Sequence, residues 1–411
     1  MKNRYHVACD LGSRSIKVAV GCYDAARNII RVTDVAHADS AGIEKGVLVN
    51  AEAAAAVVKD LIYQMGLSKG DMDRISFNLS GTGMESKNLT GEITFTSPTV
   101  VTYGVLDRLD KIIADSSPVF GKSVMFVSNK KYFADGEFVF NPLGEQCTRF
   151  QGENFLVYSD NRQKEALSAL VDLLGLKTID IFPEGLLAAE TCVKQGERDL
   201  GVALADVGFD KTDIAVFADG NIQQCCVLPV GIHDIINTIS YVYKITYTDA
   251  EYVFENYSNL LMKDSAERRL LETDENGVQH WLDIGEYNRF LEDICRQILE
   301  RVISVTEKHG YGDLVFSGYV ISGGLAKIRG LAGALSGSVP NGFKVKTGKS
   351  YGFSGFDYVL EDPQWFTVLG ALKIMASDDA EESTSQMTLS KKIIGFFSRL
   401  FPKKENILKE K

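Results

Sequence analysis

The chain has 411 residues, of which 45% are hydrophobic and 24% charged, with a formal net charge of −11. This composition is typical of a globular protein large enough for two or more domains, and its acidity argues against a nucleic-acid binder, which needs a basic face. Seven cysteines without a C-x-x-C pair argue against a disulfide framework or a zinc site. Because the sequence has no apolar leader and no run of eighteen apolar residues, we expect the bulk of the protein to be cytoplasmic.

The first predicted element is a β-hairpin over residues 7–20, in which two apolar runs flank a polar turn. The same design returns at residues 202–217. Each copy ends its first strand with an aspartate and follows it two residues later with a glycine: Asp10 and Gly12, then Asp206 and Gly208. Glycine turns let backbone N–H groups approach phosphate oxygens, and two facing carboxylates can hold a hydrated Mg²⁺. One such hairpin alone is more often an ordinary polar turn, but the duplication favours a nucleotide site between two related halves.

Between the hairpins the pattern predicts an α/β layer with an insertion. A helix over residues 51–65 and a strand over 75–79 complete the first layer. Residues 80–158 read as an inserted small α/β module without an acid pair or a nucleophile dyad, so its default role is structural or contact-making. Pro183 and Glu184 then open a predicted helix over residues 185–193. Glu184 is either a carboxylate that orients water or an acid favoured by the helix dipole.

The second half contains a long amphipathic helix over residues 284–308. Residues 265–276, which precede it, are polar and charged and are expected to be exposed. Three arginines lie toward the polar side of the helix: Arg289, Arg296 and Arg301. They form either a solvated face or a surface for an acidic peptide. Downstream, residues 318–331 predict a strand, a turn at Gly323 and Gly324, and a helix, and such paired glycines let a flat ring lie against the backbone.

These three motifs, in this order, resemble the superfamily of actin, sugar kinases and DnaK-type chaperones. Lys17 stands where that superfamily has the lysine that reaches the phosphates, and Gly323 and Gly324 stand in its adenosine motif. The resemblance implies a two-lobed α/β, ribonuclease H-like duplicated fold that holds ATP or ADP with Mg²⁺ in its cleft. The implied nucleotide residues are Asp10, Gly12, Ser13, Arg14, Lys17, Asp206, Gly208, Lys211, Thr212, Glu251, Gly323 and Gly324. Asp10 and Asp206 would hold Mg²⁺ through water, and the catalytic candidates are Asp10, Asp206 and Glu184.

Within that superfamily the chain resembles the FtsA family of bacterial cell-division proteins over essentially its whole length. The module at 80–158 stands where that family has its subdomain 1C, residues 42–46 resemble its Gly-Ile-x-x-Gly element, and Glu251 matches a glutamate that faces the ribose. The implied boundaries are 1–79 with 159–194 for subdomain 1A, 80–158 for 1C, 195–230 with 311–376 for 2A, 231–310 for 2B, 377–390 for an acidic flexible linker and 391–411 for a tail.

The tail predicts an amphipathic membrane helix. Its apolar stripe and adjacent positive charges are formed by Lys392, Ile393, Phe396, Phe397, Arg399, Leu400 and Phe401. A dozen helical residues reach only about 18 Å, which is too short to cross a bilayer core of roughly 30 Å, so the helix would lie in the interface. Residues 391–411 carry a net charge of +5 against −16 for the rest of the chain, which favours anionic lipid. The alternative is a helix that docks on the protein's own core.

The second phosphate turn departs from the family pattern. Phe209, Asp210 and Lys211 replace two glycines and a threonine, and Phe254 replaces a residue that is often basic in relatives. We expect the ring and the carboxylate to crowd or repel a γ-phosphate, with Lys211 offsetting part of the charge. The hypothesis is therefore a weakened nucleotide site with at most weak ATPase activity.

The resemblance implies a polymerising protein that tethers FtsZ filaments to the inner face of the cytoplasmic membrane at the division site. Its implied partners are the FtsZ C-terminal peptide on subdomain 2B, other copies of itself, anionic lipid and later division proteins, with no nucleic acid. Arg289, Arg296 and Arg301 are electrostatic candidates for the peptide contact. The alternatives are a PilM-like actin-fold scaffold of a membrane-associated assembly and a small-molecule kinase.

Overall fold

The computed structural model describes residues 5–68, 75–176, 179–273, 279–339 and 342–381. The predicted membrane tail and most of the predicted linker lie outside these residues. Within the described residues, no helix is long and apolar enough to cross a membrane.

The first lobe is built on a six-stranded sheet whose order is β11-β6-β1-β2-β3-β19, in which β11 is Ile179–Pro183 and β19 is Phe353–Ser354. The predicted hairpin is confirmed, with β1 antiparallel to β2 in a register that pairs Asp10 with Lys17. The first elements are β1 (Tyr5–Leu11), β2 (Ser15–Asp24), β3 (Ile29–Asp39), β4 (Ile43–Glu44), β5 (Val47–Leu48), α1 (Ala51–Gln64) and β6 (Ile75–Leu79).

The inserted module is a four-stranded antiparallel sheet, ordered β7-β10-β8-β9, that packs against one helix. Its elements are β7 (Glu85–Val100), α2 (Tyr103–Asp115), β8 (Lys122–Ala134), β9 (Glu137–Val139) and β10 (Gln146–Asp160). The chain then returns to the first lobe through α3 (Asn161–Leu174), β11 (Ile179–Pro183) and α4 (Glu184–Cys192).

The second lobe repeats the plan of the first in a five-stranded sheet ordered β14-β13-β12-β17-β18. In each lobe the first strand pairs antiparallel with the next strand and parallel with a later one, which confirms the predicted duplication. The elements are α5 (Gln195–Leu200), β12 (Val202–Val207), β13 (Thr212–Ala218), β14 (Asn221–Leu228), α6 (Ile232–Tyr243), α7 (Tyr247–Tyr257), β15 (Arg268–Thr273), β16 (Gln279–Asp283) and α8 (Ile284–Lys308).

The remaining elements return to both sheets. They are β17 (Tyr319–Gly323), α9 (Leu331–Leu335), β18 (Val345–Thr347), β19 (Phe353–Ser354), α10 (Asp357–Leu360) and α11 (Phe366–Glu381). Helix α11 packs along α4 and across β1 and β2, while α4 contacts β12 and β13. These two helices therefore join the lobes behind the cleft.

Three expectations differ from the structure. The polar run that was predicted only to be exposed contains strand β15, which pairs with β16. The helix expected after the double glycine is a short 3-10 helix over Gly324–Lys327, followed by α9. Helix α11 is anchored in the core through Ala376, and it continues to Glu381, into the stretch predicted to be a flexible linker.

The inserted module contacts the second lobe directly. On β7, Asn88 donates from Nδ2 to the Gln223 carbonyl at 2.8 Å, and the Lys130 ammonium donates to Gln223 Oε1 at 2.6 Å. The backbone N–H of Cys225 donates to Ser86 Oγ at 2.9 Å. Strand β14 is therefore covered at its outer edge by the module.

Candidate functional site

The two hairpin turns and the double glycine line one cavity of about 100 Å³ between the lobes. Asp10 and Asp206 lie near the ends of equivalent strands, β1 and β12, so the duplicated topology alone brings their carboxylates to the same cleft. Gly323, with a φ of +73°, leaves room for the Asp206 side chain, because a Cβ there would lie 2.8 Å from Asp206 Oδ1. The structure thus brings the three sequence motifs together.

Ten of the twelve residues implied as nucleotide-binding line this cavity. Thr212 and Glu251 do not: the Thr212 hydroxyl donates to the Val230 carbonyl at 2.7 Å, and Glu251 pairs with Arg14. The cavity is also lined by five residues that the sequence motifs do not identify: Ser15, Ile232, Pro363, Gln364 and Thr367. Proline at the start of the short helix Pro363–Trp365 is a helix-start signal, but no local pattern places that turn opposite the hairpins.

The Lys17 ammonium bonds to the carboxylate of its cross-strand neighbour. Its Nζ lies 3.1 Å from Asp10 Oδ2, and both side chains are buried. Burial raises the pKa of Asp10 even though Lys17 lowers it. In this structure Lys17 neutralises Asp10 instead of extending as a free phosphate ligand.

Lys211 is the least expected feature of the cleft, because it turns inward from the second turn. Its Nζ lies 2.8 Å from Glu184 Oε2 and also donates to Asp213 Oδ2. Burial alone would lower the pKa of Lys211, but Asp213 and Glu184 raise it above its ordinary value. The side-chain stem packs on Gly46, where a Cβ would come within 2.4 Å of Lys211 Cε. The Gly-Ile-x-x-Gly element therefore accommodates this lysine.

Glu184 is held in a defined position at the first residue of α4. Its Oε2 accepts from Asn78 Nδ2 at 2.7 Å, and Asn78 Oδ1 accepts from the Leu11 backbone N–H at 2.7 Å. With Lys211 as a second partner, the carboxylate is tied to β1, β6 and the second turn. Glu184 thus lies between the two hairpins and connects them.

Two buried carboxylate oxygens in the cleft, Asp10 Oδ1 and Asp206 Oδ1, have no hydrogen-bond partner among the described residues. The other oxygen of Asp206 has only a long contact, 3.4 Å from Thr367 Oγ1. The pKa of Asp206 is raised to about 8, mainly by burial and to a smaller extent by repulsion from Glu184 and Asp213. Buried oxygens without partners are costly in an apolar interior, and here they are available to a ligand.

The mouth of the cleft is bridged by Arg14. Its guanidinium lies 3.0 Å from Glu251 and 3.0 Å from Glu255 on α7, and 5.2 Å from the centre of the Phe209 ring. The Phe209 ring also packs on His233, with the ring centres 5.3 Å apart. Phe209 thus lies beneath a salt bridge that joins the lobes, while Phe254 packs in the core of the second lobe.

The site does not fit a divalent metal well. Glu184 and Asp213 are bound to the Lys211 ammonium, and Asp10 is bound to Lys17. No group of three or more His, Cys, Asp or Glu side chains suited to a metal occurs among the described residues. A dication in this cluster would face a fixed, buried ammonium, which repels it.

The three arginines of α8 differ in their surroundings. Arg289 donates to the Lys263 carbonyl, and Arg296 pairs with Glu292 at 3.0 Å and with Asp293. Arg301 is exposed. Arg289 is exposed as well, but Arg301 alone of the three has no hydrogen bond or ion pair with another described residue, so its guanidinium is free to meet an acidic peptide.

The duplicated sheets and the shared cleft define an actin-like fold. Two solved structures share this fold at low sequence identity: the PilM-PilN type IV pilus biogenesis complex, with a TM-score of 0.62, 13% identity and coverage of 90% of this chain and 98% of that chain, and MreB 5 of Spiroplasma citri bound to AMPPNP, with a TM-score of 0.56, 14% identity and coverage of 93% and 99%. These likenesses establish the fold.

The sequence relationship is more specific. The family model described as cell division protein FtsA matches residues 203–370. The cell division protein FtsA of Pseudomonas aeruginosa is 25% identical over 370 residues, which cover 89% of this chain and 88% of that protein. The resemblance to FtsA that the motifs indicate is confirmed.

Proposed function

We propose that this chain is an FtsA-type cell-division protein that polymerises and tethers FtsZ filaments to the inner face of the cytoplasmic membrane. The observation that carries the proposal is the similarity to FtsA over about nine-tenths of the chain, on an actin-like fold. The basic amphipathic pattern of residues 391–411 supports the membrane part. A single tail binds weakly, and a polymer that presents many tails binds firmly.

The cleft supports a nucleotide-binding role. The MreB 5 structure of the same fold is described as bound to AMPPNP, and the cleft of this chain presents two glycine turns and unpartnered Asp10 and Asp206 oxygens. The Arg14 bridge and the internal pairing of both lysines leave few free positive charges for phosphate. Nucleotide binding therefore belongs to the proposal in a weakened form, with at most slow hydrolysis.

Subdomain 2B, near residues 231–310, is the proposed docking surface for the FtsZ C-terminal peptide. The test is fluorescence anisotropy of the labelled peptide with the full-length protein. We expect Arg301→Glu to weaken binding at least tenfold, because it reverses an exposed charge on α8, whereas Arg108→Glu, an exposed helix arginine on the inserted module, should leave binding unchanged. Absence of peptide binding to the unaltered protein would contradict the FtsZ partnership.

The alternatives predict other results. A PilM-like scaffold shares the fold but would bind neither FtsZ nor lipid through the tail. A small-molecule kinase would transfer phosphate to a sugar in a coupled assay, and the internally paired carboxylates of the cleft argue against that activity. Contacts of residues 80–158 with later division proteins are part of the same proposal.

A further inference from the structure

The deep end of the cleft gathers six buried charged side chains. Four are carboxylates and two are ammonium groups: Asp10, Glu184, Asp206 and Asp213, with Lys17 and Lys211. Asp10 is paired with Lys17, and Glu184 and Asp213 are paired with Lys211, whose charge also acts on Asp206. A cluster of this kind requires a cation, because like charges that are buried together repel strongly.

The Lys211 ammonium is fixed in the middle of this group by independent contacts. Glu184 and Asp213 accept its hydrogen bonds, and the second oxygen of Asp213 accepts from Ser80 Oγ at 2.5 Å. The stem is enclosed by Gly46, whose φ of +76° and lack of a side chain admit it. The backbone N–H of Gly46 donates to Ser13 Oγ at 3.2 Å, which ties this enclosure to the first phosphate turn.

We infer that Lys211 is a tethered cation that takes the place of a divalent metal in this cleft, so that the protein binds a nucleoside di- or triphosphate in its metal-free form. The inference rests on the nucleotide binding proposed above, and it is independent of membrane or FtsZ binding. Asp10 Oδ1 and Asp206 Oδ1 remain free to accept hydrogen bonds, and water molecules or ligand hydroxyl groups are the complementary donors.

The charge state of the cluster agrees with this assignment. The Lys17 and Lys211 ammonium groups already bond to three of the four carboxylates, Asp10, Glu184 and Asp213. A dication would have to displace both.

The first test measures Mn²⁺ binding to the full-length protein by electron paramagnetic resonance, in the absence of nucleotide. We expect the unaltered protein to bind Mn²⁺ only at acidic surface groups outside the cleft. The Asp206→Asn change should therefore leave its Mn²⁺ binding unchanged. Lys211→Ala should gain one Mn²⁺ that the added change Asp206→Asn removes, whereas Lys211→Arg, which keeps the charge, should gain none. One equivalent of Mn²⁺ on the unaltered protein that Asp206→Asn abolishes would overturn the inference, whether or not the lysine variants fold.

The second test is titration of ADP and ATP into the full-length protein in EDTA and in excess Mg²⁺. Affinities that agree within about twofold support the inference. Binding that is tenfold or more tighter with Mg²⁺ would overturn it, and absence of binding in both buffers would overturn its nucleotide part while the Mn²⁺ result decides the metal part. Because neither test involves FtsZ or lipid, failure here is distinguishable from failure of the proposed tethering function.

Discussion

At the residue scale, Lys211 neutralises two carboxylates that the fold buries next to each other. Glu184 and Asp213 are brought together by a helix start and a strand from different lobes, and neither is exposed. The Lys211 ammonium donates hydrogen bonds to both carboxylates and offsets their charge. Removing one partner of a buried ion pair lowers the free energy of unfolding by more than the intact pair contributes to it, because an uncompensated charge is left in the interior.

Lys211→Met should therefore destabilise the protein by about 3–5 kcal/mol in urea unfolding, since Met keeps the length of the stem but loses the ammonium. Adding Asp213→Asn should recover part of the loss, because the two sites are in contact and their effects are not additive. The matched control is Lys263→Met, because Lys263 is itself 42% exposed and its buried partner Glu292 keeps a second ion pair with Arg296, so the expected cost is below about 1 kcal/mol. Equal costs for the two lysines would contradict this role.

Asp206 should make stability depend on pH. Its native pKa of about 8 lies above the unfolded value of about 3.9, so between these values the native state holds a proton that the unfolded state has lost. The contribution of Asp206 to stability then falls as pH rises. Asp206→Asn should be more stable than the unaltered protein by about 1–3 kcal/mol at pH 8 and nearly equal to it at pH 4.5, by urea unfolding at each pH. A difference that does not change with pH would refute this.

The conformation of the second phosphate turn could be predicted from the sequence only in part. The substituted turn Phe209-Asp210-Lys211 was expected to crowd a phosphate, and Phe209 and Asp210 do line the cavity. The inward course of Lys211 was not predicted, because it depends on Glu184 and Gly46, which lie far away in sequence. Long-range charge pairing of this kind has no local signature.

At the element scale, the crossing of α4 and α11 holds the lobes together. Gly370 allows a close approach, since a Cβ there would lie 1.8 Å from the Leu187 carbonyl oxygen. Gly370→Ala should therefore cost about 3 kcal/mol or more, measured by thermal or urea unfolding. Gly333→Ala in α9 is the control: nothing lies within 4 Å of its Cβ position, and alanine favours helix by about 1 kcal/mol. A tolerated Gly370→Ala would show that this crossing is looser than described.

The Arg14 bridge between the first turn and α7 should govern access to the cleft more than stability. Because the bridge is half exposed, Arg14→Ala should change the free energy of unfolding by less than about 1 kcal/mol. It should, however, speed hydrogen–deuterium exchange at residues 208–211. Arg149→Ala, which removes a similarly exposed pair with Glu92 inside the module, should leave that exchange unchanged. Unaltered exchange in Arg14→Ala would argue against a bridge that closes the mouth.

Elements were predictable where their pattern is local. The two hairpins, helix α1 and helix α8 follow from apolar periodicity, and they occur where expected. Strand β15 was missed because an exposed two-stranded hairpin with charged residues lacks a buried face, and only pairing with β16 defines it. The placement of α11 behind the cleft depends on packing against α4, which no single stretch of sequence encodes.

At the scale of the whole molecule, an acidic body is joined to a basic tail. Residues 391–411 contain seven basic and two acidic residues, whereas the rest of the chain carries a net charge of −16. In the proposed assembly the body polymerises and the tails attach it to anionic lipid. Phe396→Asp with Phe397→Asp should reduce cosedimentation with anionic vesicles at least tenfold, since the apolar stripe loses its two central rings. Ser398→Asp, off the stripe, is the control, and unchanged binding of the double variant would contradict an interfacial helix.

The most direct test of the tether is flotation of labelled FtsZ filaments with phosphatidylglycerol-containing vesicles in a density gradient. We expect FtsZ to float with the vesicles when the full-length protein is added. It should remain at the bottom when the protein ends at residue 390 or when the vesicles are neutral. FtsZ that stays at the bottom with the full-length protein, or floats equally well with the truncated one, would contradict the account.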